Sequence, residues 1–92
     1  MTVADSIRAK LTRGLSPTRL DIEDDSERHR GHGGAHPDGE SHFAVTVVCD
    51  RFAGLPRVER HRLVHALLAE ELAGRVHALR LCTLAPAEDL ES

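Results

Sequence analysis

The stretch Ser41-His42-Phe43-Ala44-Val45-Thr46-Val47-Val48-Cys49 constrains the fold more than any other part of the chain. Phe43, Val45 and Val47 point to one side of an extended strand, and Ala44, Thr46 and Val48 to the other. An apolar strand face must be covered by another element. Ninety-two residues make one domain, so that cover has to come from within a single small core. A chain of this size buries only about 60–65% of the surface it exposes when unfolded, which leaves little for a deep pocket.

The elements available are few. Val3, Ile7 and Leu11 recur every four residues, which predicts a helix over 3–13 that Gly14 stops. Leu15-Ser16-Pro17 is a connector, because Pro17 disfavours a helical Ser16. Leu20 and Ile22 alternate with Arg19, Asp21 and Glu23 in a short half-buried strand over 18–24. Asp24 to Glu40 breaks every pattern, with four glycines, one proline and charged or His residues throughout. It reads as a mobile loop, longer than the ~12–15 residues beyond which unstructured loops are uncommon unless functional or disordered. After the second strand, Arg51 to Leu55 turns the chain and Pro56 suits a first helical position. Leu63, Val64, Leu67, Leu68 and Leu72 then form a stripe at helical spacing across 57–72, with a break or tight bend near Glu59–His61 and an end at Gly74. Val76 to Leu84 is a third strand, Pro86 closes it, and the weakly ordered tail to Ser92 adds one helical turn.

The order helix–strand–strand–helix(es)–strand implies a single α+β domain over 1–92. Its helices cover one face of a three-stranded sheet and leave the other wet. Leu20, Ile22, Phe43, Val45, Val47, Leu79 and Leu81 are the expected inward set, with Thr46 and Arg80 outward; Leu84 breaks the alternation.

Composition removes several function classes. Phe43 and Phe52 are the only aromatics among Phe, Tyr and Trp, too few for stacking single-stranded nucleic acid. Twelve basic against fifteen acidic residues give a net charge of −3, the opposite of a chain living on phosphate contacts. Cys49 and Cys82 lie far apart, so no disulfide framework and no four-cysteine cluster site is available. The start lacks a signal-peptide pattern, and no segment approaches the ~20 apolar residues needed to cross a bilayer. A cytoplasmic location is expected.

Histidine is the anomaly. Seven occur, and His29, His32, His36 and His42 fall within fourteen positions in or just after the loop. Neutral imidazole is a good metal ligand, and a glycine-rich loop lets two such rings converge without strain. The alternative is solvated polar filler. His77, near the start of the third strand, shares by alternation a side with Leu79 and Leu81. It is either a half-buried histidine satisfied by one hydrogen bond or the fixed half of a two-point metal site opposite the loop. Both cysteines read as structural or incidental.

Arg57-Val58-Glu59-Arg60-His61-Arg62 places three arginines near the expected helix break. They face either phosphate, as in a helix–turn–helix, or an acidic protein surface, or solvent. Gly31-His32-Gly33-Gly34 matches the Gly-x-x-Gly string of a KH clamp. That clamp must join two helices, and here the string joins two strands. Nothing in the sequence resembles a nucleophile–base pair, a phosphate loop or an H-E-x-x-H motif, so no enzymatic activity is expected.

Four stretches together resemble the BolA family: Glu40-Ser41-His42-Phe43, Arg51-Phe52-x-Gly54, Val58-Glu59-Arg60-His61-Arg62-Leu63-Val64 and Val76-His77-Ala78-Leu79. Their order and spacing also match, from about residue 5 to 86. The resemblance implies a fold related to the type II KH topology, α-β-β-α-α-β. It implies pairing with a monothiol glutaredoxin around a shared 2Fe–2S cluster, for assembly, transfer or iron sensing. It also implies a transcription-linked, DNA-binding role in bacteria, attributed to the helix–turn–helix-like region with Arg57, Arg60 and Arg62. His77 matches the family's cluster-ligand histidine. The second ligand comes from the loop between the first two strands, where Asp25-Ser26-Glu27-Arg28-His29 favours His29 and leaves His32 a near rival. Two imidazoles would leave two cluster positions for a glutaredoxin cysteine and a glutathione thiol. Protonation competes with such ligands, so cluster loss is expected as the pH falls towards ~6.

Overall fold

The computed structural model describes residues 2–24, 42–74 and 76–91. The elements run α1 (Val3–Leu15), β1 (Arg19–Asp24), β2 (His42–Val48), a 3₁₀ turn at Asp50–Phe52, α2 (Arg57–Leu67), α3 (Ala69–Ala73), β3 (Ala78–Leu84) and α4 (Pro86–Glu91).

α1 begins with a reciprocal cap. The Asp5 amide donates to the Thr2 hydroxyl at 3.0 Å, and the Thr2 amide donates to the Asp5 carboxylate at 3.1 Å. The hydrogen bonds that the Asp5 carboxylate accepts from Thr2, the backbone N–H first, hold it below its ordinary range. The helix does not stop at Gly14, as its sequence suggests. It continues to Leu15 and ends at Ser16, which takes a left-handed φ of 46° while its N–H reaches the Thr12 carbonyl at 3.0 Å. Gly14 is there for a different reason. A Cβ at that position would lie 2.8 Å from both methyl carbons of Leu67, so the absent side chain lets α1 approach α2 closely.

The sheet order is β1-β2-β3, with β1 antiparallel and β3 parallel to β2. Parallel pairing is possible because α2 and α3 supply the long crossover that it requires. Facing the helices, Phe43, Val45 and Val47 are buried, with Leu20, Ile22, Leu79 and Leu81 packed at their margin. Ile7, Leu11 and Leu15 of α1, Val64 of α2 and Leu68 complete this core. Each fully buried large side chain contributes about 1.5–3 kcal/mol. Thr83, opposite Val47, takes the next inward place on β3 and is buried. Leu84 therefore falls outward, opposite Val48. Even so, Val48 is fully buried. Its other register partner, Arg19, makes a 2.7 Å salt bridge to Asp89, bringing α4 to that end of the outer face.

Two further boundaries differ from the sequence expectation. The helical stretch breaks at Leu68 (φ −104°, ψ 20°), not near Glu59–His61. Leu68 is itself core, so the break reorients α3 without losing an anchor. β3 starts at Ala78, because the Val76 amide donates to the Glu71 carbonyl at 2.9 Å and so belongs to the end of α3. The tail is firmer than expected: residues 86–91 are helical, and α4 is tied by the Arg19–Asp89 and Arg60–Glu88 salt bridges. Lys10 of α1 bridges Glu70 and Glu71 of α3 at 3.1 and 2.8 Å, and these carboxylates hold its ammonium pKa above the ordinary value. Among the described residues, no helix is long and apolar enough to cross a membrane.

Candidate metal centre

Strand direction gathers the histidine-bearing parts of the chain. The register sets His42 opposite Ala78 and Asp24 opposite Phe43. The end of β1, the start of β2 and the start of β3 therefore share one corner of the sheet, with neighbouring strands about 4.8 Å apart. His77 lies immediately before β3 and is exposed, not half-buried beside Leu79. The reason is the late start of the strand: residue 77 occupies a bend, so the alternation that would turn it inward has not begun. The connection carrying His29, His32 and His36 leaves this corner at Asp24 and returns to it at His42. Those three residues lie outside the described ones.

His42 gains importance from this arrangement. It is half-buried, and by alternation lies on the outer face with Ala44 and Thr46. Sequence alone grouped it with the loop histidines, since its nearness to His77 depends on the parallel pairing of strands thirty residues apart in the chain. Among the described residues, no three His, Cys, Asp or Glu side chains are grouped to hold a metal ion. The described part of the corner thus brings two imidazoles to one end of the sheet without forming a three-ligand group by itself.

The arginines are not one patch. Arg60 is engaged internally: its side chain is only 11% exposed. It donates to the Leu55 carbonyl at 2.8 Å, the Thr83 carbonyl at 3.0 Å and Glu88 at 2.7 Å, and lies over the Phe52 ring at 5.9 Å. This corrects its reading as a phosphate contact, because its donors are already fixed within the fold. Arg62 is exposed but bonded to Glu59 at 2.8 Å, and Arg57 is exposed in the first turn of α2. All three lie well before the helix break at Leu68.

Cys49 is fully buried, and burial pushes its thiol pKa up, which leaves it unreactive. Cys82 is exposed on the outer face, in line with Arg80.

The family model described as "BolA-like protein" matches residues 11–88. The chain belongs to the BolA-like family. BolA-like protein 1 of Homo sapiens is 48% identical over 86 residues, covering 94% of this chain and 60% of that protein. This BolA-like chain thus spans about 60% of the length of that relative. A protein of Vibrio cholerae named DNA-binding transcriptional regulator BolA is 44% identical, covering 94% and 77% of the two chains. Among solved structures, BolA1 from Arabidopsis thaliana superposes with a TM-score of 0.80 at 42% identity, covering 92% of this chain and 93% of that one. Similarity at this level shows that the BolA-like fold is the one adopted here.

Proposed function

We propose that this chain is a non-enzymatic adaptor that binds or hands over a 2Fe–2S cluster together with a monothiol glutaredoxin. The observation that carries the reading is the corner itself: exposed His77 stands where the segment with His29 and His32 is anchored at both ends. Membership of the BolA-like family supports it. The donor set suits this cargo, since imidazoles replace two of the four thiolates in some 2Fe–2S sites. A partner's cysteine and a glutathione thiol would supply the remaining two. The start of β3 fixes the chain next to His77, while in this reading the connection brings a second imidazole from the loop, with His29 favoured over His32.

Anaerobic reconstitution of the chain with a monothiol glutaredoxin tests this reading. A heterodimer with iron and sulfide in equal amounts, and a visible spectrum different from that of the glutaredoxin homodimer, is the expected product. His77→Ala should abolish the altered spectrum, and His29→Ala should weaken it. An unchanged spectrum in His77→Ala would remove the basis of the proposal.

A second reading, a DNA-binding transcriptional regulator, is favoured by the name of the Vibrio cholerae relative. On this chain it would depend on Arg57 and Arg62, with Arg60 held inside. Duplex binding that weakens steeply with salt, and further on neutralising Arg57 and Arg62, is its test.

A further inference from the structure

The two edges of the sheet are built differently. β1, at one edge, carries four charged residues among six, a composition that discourages pairing with another chain. β3, at the other, carries one, Arg80, among seven. The hydrogen-bonding phase of β3 follows from two contacts. The Leu84 carbonyl accepts from the Cys49 amide, so Leu84 and the residues in phase with it turn their backbone groups toward β2. The Thr83 carbonyl accepts instead from Arg60, on the opposite side. Hence Leu79, Leu81 and Thr83 direct their backbone groups to the free edge. Among the described residues, the Arg60 bond to Thr83 is the one hydrogen bond made there.

Beside this edge runs a groove of about 280 Å³ between β3 and the first turns of α2, with Arg57 and His61 on one wall and Leu81, Thr83 and Leu84 on the other. Thr83, 6% exposed, keeps a buried hydroxyl with no partner among the described residues. Buried hydroxyls ordinarily find one. Arg57 makes no hydrogen bond or salt bridge among the described residues, and the helix it opens has no side-chain cap. The nearby acid, Glu88, is bonded to Arg60 and to the Ala85 amide. Glu88 also lies within electrostatic reach of Arg57, but this one carboxylate faces two guanidinium groups, which leaves the groove wall net positive.

We infer that the free edge of β3 docks an extended, acidic segment of another protein, which adds to the sheet as a fourth strand. Backbone bonds to Leu79, Leu81 and Thr83 hold the segment. A side chain on its inner face enters the groove over Leu81, and a carboxylate at the Thr83 end meets Arg57 and the open amides of α2. A second copy of this chain fits less well, because its own β3 would bring Arg80 and Arg57 against the same charges. The charged end of this docking surface, at Thr83 and Arg57, lies at the opposite end of β3 from His77, and the proposal does not depend on the cluster reading.

The test is a titration of the isotope-labelled, metal-free protein with acetyl-Val-Thr-Val-Thr-Val-Glu, read by amide shifts and hydrogen exchange. The amides of Leu79, Leu81 and Thr83 should gain protection. Those of Ala78, Arg80 and Cys82, already directed at β2, should not. Arg57→Gln should weaken binding about tenfold, the loss expected when one charged hydrogen bond is removed. A peptide N-methylated at alternate residues should not bind. Absence of the alternating pattern at millimolar peptide, or equal affinity in Arg57→Gln, overturns the inference. So does protection of the same amides by self-association without peptide, or by a short DNA duplex when the peptide has no effect.

Discussion

Replacing Arg60 with methionine isolates what holds α2 to the end of β3. Methionine keeps an apolar stem of similar length over Phe52, so packing is largely preserved and the donors are lost. Two part-buried backbone carbonyls, of Leu55 and Thr83, then lose a charged donor. Charge-assisted bonds are worth about 1.5–3 kcal/mol each, and the neighbouring groove admits water, so the lower figure applies. Two such bonds give a destabilisation of about 3 kcal/mol. The Glu88 contact is solvent-exposed and adds little. For a domain of this size, that loss lowers Tm by roughly 12–24 °C. Urea unfolding followed by circular dichroism measures it directly, with an unchanged m-value confirming that the unfolded state is not altered. Arg57→Met and Arg62→Met, whose side chains lie on the surface, should stay within about 0.5 kcal/mol of the parent. A loss below about 1 kcal/mol in Arg60→Met, or equal losses in all three variants, would refute the assignment of Arg60 to the interior.

Acid should destabilise the chain through two capping carboxylates. Hydrogen bonds from Arg60 and then the Ala85 amide lower the Glu88 pKa from its ordinary 4.5, and bonds from Thr2 lower that of Asp5 from 3.8. A carboxyl whose pKa is lower folded than unfolded contributes stability above its unfolded value. That contribution disappears as the pH falls through the folded one. The urea midpoint should therefore fall below about pH 4.5, and by less in Arg60→Met than in the parent. Ser16→Gly relieves the left-handed φ of 46° at the end of α1 and should raise stability by about 0.5–1 kcal/mol, measured as Tm. Thr83→Val removes a buried hydroxyl without a partner and should stabilise the free protein by about 1 kcal/mol; a loss of stability would mean that the hydroxyl is already bonded in solution.

The strands were the most legible part of the sequence. A sheet covered on one face imposes period-two alternation, so Phe43, Val45 and Val47 could be assigned inward and Thr46 and Arg80 outward from spacing alone. Signals with two physical causes were harder to interpret. Gly14 looks like a helix stop, yet the same missing side chain serves close helix contact with Leu67. The sequence reading puts a break near Glu59–His61, but the break falls at an apolar residue, Leu68, with no compositional mark. His77 was legible as a candidate and its exposure was not, because exposure depended on where the β3 ladder begins. The proximity of His42 to His77 depended on parallel pairing across the α2–α3 crossover, a long-range relation that local pattern does not encode.

The antiparallel pairing of β1 with β2 has an evolutionary consequence. A connection whose two ends are fixed side by side by the ladder can lengthen at small thermodynamic expense, about 0.6 kcal/mol per doubling. Residue identity and spacing along that connection can therefore drift between relatives while the sheet stays the same. Scaffold and connection are separately inheritable in such an architecture, and a graft of one relative's connection onto another's sheet should fold.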